Sequence, residues 1–349
     1  MAGLYQTVTL LEVQRKFKAL PAFFLQWFNR QINFETDVVA FDKVNVNYRR
    51  LAPFVAPNVQ GRVLKEKGFS RQGFKPAYVK PKHVVDPNQI IPVQPGEIAN
   101  QGSLSLAQRR NAVITSLLEQ HRAMHENRWE WMACQALTYG YLDVEGEDYP
   151  KVRVNFNRDA ALTITTDWTV ADYKPMDDLV LGRQLVNDKS MSGAVIRDWV
   201  FGGDAWAKFW EIHQEELLKL MDKNLRGSDT EVTRLWDGLE GVEYMGRIVG
   251  LRGQGEIRIW VNTQKFTAED DQHEFMFPQN GVLGVSQAVG GVRCFGAIMD
   301  KGAGYQALPI YPKNWENEDP SVEYLMSQGA PLMVPADPNS TVLILATLE

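Results

Sequence analysis

His121 and His125 are the residues best spaced for metal chemistry. Four apart on a helix, they would present two imidazoles on one face, as zinc ligands often do. The run is His121-Arg122-Ala123-Met124-His125, without the glutamate that supplies the base in H-E-x-x-H. The other histidines, His83, His213 and His273, are scattered, so the pair is expected to be solvated or at an interface and to hold no metal. Gly250, Gly253 and Gly255 resemble a phosphate-binding loop, but Glu256 to Val261 alternates as a strand where a dinucleotide site needs a helix N-terminus. A hairpin turn explains these glycines better. No G-x-x-x-x-G-K-[ST] occurs, which excludes a P-loop. Ser286, in Gly284-Val285-Ser286-Gln287-Ala288, is one residue from a nucleophile elbow, yet no helix is expected after it and no histidine follows. The carboxylate pairs Asp177-Asp178 and Asp270-Asp271 read as a helix cap and solvated loop acids. Cys134 and Cys294 lie in apolar runs without metal or redox spacing, and are expected as buried thiols in a reducing compartment.

The element that must position everything else is a helix from Leu106 to about Tyr139. Ser105 and Gln108 form an S-x-x-Q capping box at its start, Gly140 supplies the left-handed residue at its end, and no Gly or Pro lies between. At 1.5 Å per residue this spine is about 50 Å long. Ile114, Leu117, Leu118, Met124, Trp131, Met132, Ala136 and Leu137 make an apolar stripe interrupted by Arg110, His121 and Arg128. The interruptions predict that part of the rod meets water or another subunit.

At 349 residues with 44% hydrophobic content, the chain can bury a sizeable core. Its net charge of −6 is uneven: residues 1–100 hold 14 Lys+Arg against 7 Asp+Glu, so the remainder is strongly acidic. Without a tight basic cluster, this suits self-association of unlike surfaces better than nucleic-acid recognition. No apolar run reaches membrane-spanning length, and Met1 to Leu11 lacks the pattern of a signal peptide.

In chain order, 1–45 reads as an N-terminal arm with apolar patches at Thr7–Val13 and Phe23–Phe28, docked either on its own domain or on a neighbouring copy. Phe23, Phe24 and Trp27 are its candidate contact residues. From 46 to 98, Pro53, Pro57, Pro76, Pro81, Pro87, Pro92 and Pro95 exclude a long helix, and the short extended runs predict a two-stranded loop reaching from the body. Its Lys75, Tyr78, Lys80, Lys82 and His83 are candidates for contact with another subunit. Residues 99–176 and 305–349 are assigned to a domain around the spine, with Lys151–Phe156 and Ala161–Thr165 forming a hairpin through Asn157-Arg158-Asp159. Residues 177–304 have the contents of a compact α/β domain: a helix through Val186 capped by Asp177 or Asp178, a strand at Ala194–Val200, and an amphipathic helix from Gly203 to about Met221. Strands follow at Val242–Val249, Glu256–Val261, Val282–Ser286 and Val292–Ile298. Thr341–Leu348 is expected as a central strand returning to the spine.

Long extended elements and aromatic arms, without a convergent reactive set, favour a self-assembling structural protein that uses no cofactor. The alternatives are a cytoplasmic hydrolase acting through Ser286 and a DNA-binding protein acting through the basic first hundred residues. Lys75-Pro76-Ala77-Tyr78-Val79-Lys80-Pro81-Lys82-His83, Tyr311-Pro312-Lys313-Asn314-Trp315, Ala330-Pro331-Leu332-Met333 and Ala336-Asp337-Pro338 resemble the major capsid protein E family of tailed phages, the lambda-like group. The likeness runs from Lys16-Phe17-Lys18 to the C-terminus. It implies an α+β chain with the tailed-phage and herpesvirus capsid fold of the Hong Kong ninety-seven type: N-terminal arm, extended loop, peripheral domain with spine helix, and axial domain. It further implies hexamers and pentamers in an icosahedral shell around packaged double-stranded DNA, assembled as an expanding precursor in the host cytoplasm. Scaffolding and portal proteins are the implied partners; relatives seal the shell either by covalent Lys–Asn cross-links or with a decoration protein, and the lambda-like resemblance favours the latter.

Overall fold

The computed structural model describes residues 7–16, 22–36, 38–43, 70–85, 105–146, 149–220, 241–249, 255–268, 272–317 and 322–348. Four α-helices lie among them: α1 (Thr7–Lys16), α2 (Leu106–Tyr139), α3 (Pro175–Lys189) and α4 (Gly203–Leu220). The strands before the sheet-rich second half are β1 (Arg30–Asn33), β2 (Val39–Lys43), β3 (Ser70–Phe74), β4 (Lys82–Val85), β5 (Tyr141–Gly146), β6 (Tyr149–Asn155) and β7 (Thr163–Asp167). Those within it are β8 (Asp198–Gly202), β9 (Val242–Val249), β10 (Glu256–Asn262), β11 (Lys265–Thr267), β12 (His273–Phe275), β13 (Gly281–Val285) and β14 (Val292–Phe295). β15 (Tyr311–Asn317), β16 (Val322–Gln328), β17 (Pro331–Val334) and β18 (Thr341–Thr347) complete the set.

The spine, α2, has the predicted ends. Ser105 Oγ accepts from the Gln108 amide while Gln108 Oε1 accepts from the Ser105 amide, and Gly140 closes the helix at φ 70°. These satisfy amides and a turn that would otherwise fray. Its weak amphipathicity has a physical reason: the two halves bury different faces in different cores. Val113, Ile114, Leu117 and Leu118 pack with Leu10 of α1, Val85 of β4 and Leu325 of β16. Trp129, Met132, Ala133, Ala136 and Leu137 pack instead with the aromatic arm and one face of the main sheet.

That sheet has the order β7-β18-β13-β8-β10-β9. β18 is central, antiparallel to β13 and parallel to β7. Alternate residues reach opposite faces: Val200, Leu283 and Trp260 face the spine side, whereas Trp199, Phe201, Val282, Ile259 and Val342 meet α3 and α4. The result is a helix–sheet–helix sandwich. Because β7 and β18 share this sheet with β8, β10 and β13, the sheet crosses the expected boundaries at 176/177 and 304/305. β9 and β10 pair antiparallel with Val249 opposite Glu256, so a strand and not a helix follows Gly255, while Gly250 and Gly253 lie outside the described residues.

Several local expectations are overturned. β6 pairs with β5, directly after Gly140, and β7 joins β18, so no hairpin forms through Asn157-Arg158-Asp159. Asn157 instead takes φ 56° and turns the chain away from β6. Neither Asp177 nor Asp178 caps α3, which begins at Pro175 after Lys174 with no side-chain cap. Asp178 is buried, accepting from Trp168 Nε1 at 2.9 Å and Tyr173 Oη at 2.7 Å, so it is no solvated acid. Asp270-Asp271 lies outside the described residues. The strand expected at Ala194–Val200 begins at Asp198. Met124 of the predicted stripe is exposed. Conversely, the interruptions are used internally: Arg110 makes a two-pronged contact with Glu323 of β16, and Arg128 lies over the Trp131 ring.

Candidate assembly surface

β2 and β3 form an antiparallel ribbon, from Val39 opposite Phe74 to Lys43 opposite Ser70. The intervening residues 44–69, including Arg62–Leu64, lie outside the described residues, as do 86–104. The ribbon therefore starts inside what composition assigned to the arm. It also ends earlier than expected. From Lys75 the chain folds back onto the body: Val79 exchanges both backbone hydrogen bonds with Gly329, and β4 adds to β16.

The sequence-predicted contact residues thus split by environment. Lys75, Lys80 and Lys82 are exposed. Tyr78 is half-buried, its hydroxyl donating to the Ala297 carbonyl at 2.8 Å and accepting from the Met299 amide at 3.3 Å, while Lys80 Nζ lies 4.8 Å from its ring centre. Lys82 Nζ lies 4.0 Å above Tyr324 and 5.3 Å above Trp315, on the outer face of the β15-β16-β4 sheet. His83, on the inner face, is committed to the spine through His121. The segment from Lys75 to His83 is docked on its own body.

Phe23, Phe24 and Trp27 require a plain correction. They fill the chain's own core and so have no surface to offer a neighbouring copy. Phe23 meets Phe24, Trp27 and Trp260 at ring-centre separations of 5.2, 5.5 and 5.5 Å. The arm is fixed from two sides. Glu130 of α2 accepts the Phe24 and Leu25 amides, and Arg293 of β14 donates to the Phe28 carbonyl at 2.8 Å and the Leu25 carbonyl at 3.2 Å. Burial pushes the Glu130 carboxyl from its ordinary 4.5 up to about 7, against the lowering effect of the amides and Arg293. Sequence reasoning missed this acid; the available signal was a carboxylate set directly between Trp129 and Trp131.

The enzyme candidates are disassembled by the fold. Ser286 is buried and its Oγ accepts from the Ala288 amide, capping the short turn Gln287–Val289. An oxygen spent as a cap behind the surface is not an exposed nucleophile. His121 and His125 are both fully buried, contrary to the solvated or interfacial expectation. Among the described residues no group of three or more His, Cys, Asp or Glu is arranged to hold a metal. Cys134 and Cys294 are buried free thiols, as expected, with burial pushing Cys294 up to about 12. No described helix is long and apolar enough to cross a membrane.

The profile of the family described as phage major capsid protein E matches residues 6–344. The major capsid protein of Enterobacteria phage P21 is 32% identical over 361 residues, covering 98% of this chain and 99% of that protein. The major capsid protein of Escherichia phage lambda is 30% identical over 355 residues, with coverage of 98% and 99%. Among solved structures, a prophage capsid protein of E. coli CFT073 superposes with TM-score 0.75 at 24% identity, over 99% of this chain and 100% of that one.

Proposed function

Because the chain belongs to the phage major capsid protein E family, whose members are structural proteins of the virion and not enzymes, we propose that its copies associate as hexamers and pentamers and close an icosahedral head shell around double-stranded DNA. Assembly of multiple copies into a capsid follows from the family. The finer arrangement is our reading: the main sheet with α3 and α4 crowds round the capsomer axis, and the ribbon beyond β2 and β3 reaches an adjacent subunit. DNA is enclosed without sequence recognition, in keeping with the acidic balance after residue 100. Scaffolding and portal proteins during assembly in the host cytoplasm, maturation from a precursor shell, and a decoration protein afterwards belong to the same proposal.

The observation that carries the ribbon's role is its pairing. A two-stranded ribbon is marginal by itself in water, and β2 and β3 pair only with each other among the described strands. A deletion across 63–85 would remove β3 and β4, which the body uses, so the informative variant replaces only 44–69 by a short Gly-Ser linker. Electron microscopy should show no closed shells from this variant while thermal unfolding of the body is retained. Closed shells of normal size would overturn the ribbon's assignment. Resistance of purified shells to disruption without a second protein would likewise remove the decoration partner.

A further inference from the structure

His83 of β4 and His121 of the spine are brought together from opposite sides of the ribbon's return. Their rings stack with centres 4.9 Å apart at 27°, and His83 Nδ1 lies 2.7 Å from His121 Nε2. At that separation one nitrogen donates and the other accepts, so the contact holds one proton. His121 is fully buried and its Nδ1 has no hydrogen-bond partner among the described residues. An unpaired buried N–H is costlier than a bare lone pair. We therefore assign the shared proton to His121 Nε2, with His83 Nδ1 accepting.

This geometry leaves an added proton one vacant place away from the contact, His121 Nδ1. There it makes a charged imidazole whose new N–H is buried without an acceptor among the described residues, a cost that opening to water removes. His125, also fully buried, lies one helical turn beyond His121. Burial first, and His83 second, hold His121 down at about 4.

The charged groups on the surrounding elements are otherwise engaged. Glu323 of β16 is bound by Arg110 of the spine at 2.7 Å. Arg122 of the spine pairs with Glu126 and donates to the Gln14 carbonyl of α1, from which Glu12 points outward as an exposed residue. Lys82 of β4 is on the opposite face of its strand over Tyr324 and Trp315, and Lys313 of β15 pairs with Asp300. None of these is placed as a counter-ion between the two rings.

We propose that the His83–His121 contact is a proton-operated latch, which holds the return strand of the ribbon against the spine when His121 is neutral and releases it when that buried imidazole is charged. Release frees β4 from α2 while leaving the main sheet, whose core contains neither ring, in place. The ribbon's root is then loosened by acid without unfolding the subunit. The sign follows from the depressed value of His121: an opened site binds more protons than the closed one below its ordinary 6.5, so opening gains as pH falls from there towards about 4.

Hydrogen exchange with mass spectrometry on the full-length chain tests this, with labelling times corrected for the intrinsic pH dependence of exchange. Between about pH 7 and about pH 4.5, peptides covering 82–85 and 323–326 should lose roughly tenfold or more in protection, while those covering β13 and β18 hold theirs. His121→Gln keeps a hydrogen-bonding group in place of the imidazole and should flatten the local response. Unchanged corrected exchange at 82–85 would overturn the latch. So would parallel loss in β13 and β18, or an acid response of H121Q equal to that of the parent chain.

Discussion

Glu130 Oε2 accepts the backbone N–H of Leu25 at 2.9 Å across a sequence separation of 105 residues. The other oxygen of the same carboxyl accepts the Phe24 amide, so the aromatic arm is tied to the spine by a carboxyl group kept out of water. Its raised value means that the folded chain binds this proton more tightly than the unfolded chain. The resulting stabilisation is complete below the ordinary 4.5 and is lost as pH rises through about 7. Denaturation midpoints of the parent chain and Glu130→Gln should therefore converge or cross in favour of the variant on going from about pH 5 to about pH 8. A difference independent of pH would show that the carboxyl does not titrate in this range.

Phe23→Ala should cost about 3–5 kcal/mol, the range for deleting a fully buried aromatic ring, read from urea unfolding of the subunit. The ring is completely buried against Phe24, Trp27 and Trp260. An effect confined to assembly, with subunit stability unchanged, would return the ring to an inter-subunit role.

Arg158 is the other side of the spine's C-terminal closure. Its guanidinium donates to the Leu137 and Thr138 carbonyls at 3.2 and 2.7 Å, and burial lowers its value to about 10. Arg158→Met leaves those end carbonyls without a donor and should destabilise the subunit by about 1–3 kcal/mol. Gly140→Ala meets two obstacles at once, a φ of 70° and the Arg158 side chain against the new Cβ, and should exceed the ~1 kcal/mol of backbone strain alone. Circular dichroism during thermal unfolding reads both.

Ser286→Ala should leave the chain without measurable change in reactivity toward serine-directed phosphonate probes, because the parent chain should not react. Labelling of the parent at Ser286 would require this buried capping oxygen to open to solvent.

Much of the architecture was readable because it rests on local chemistry. Ser105, Gln108 and Gly140 specify the spine's ends within a few residues of each, and the alternation at Val242–Val249 and near Glu256 marks two strands with their hairpin. Pairing partners were less readable. Alternation in β6 and β7 is compatible with pairing to each other, and only the positive φ at Asn157 together with the competing edge of β18 sends them apart. The assembly surface was hardest, since a lysine beside aromatics looks the same in sequence whether its rings belong to its own chain or to another. Lys82 over Tyr324 and Trp315 is an internal arrangement, as is Phe23 beside Trp260. The family motif around Lys75–His83 gave no sign that this segment lies docked on its own body.

The spine also has a mechanical consequence. Its C-terminal end is clamped by Gly140 and Arg158, while its N-terminal half belongs to a separate apolar cluster with α1, β4 and β16. A rod fixed at one end is a lever: a tilt of about 10° about that end carries the other through roughly 9 Å. Any angular play at that clamp would be converted into displacement on the scale of two neighbouring strands at the far cluster.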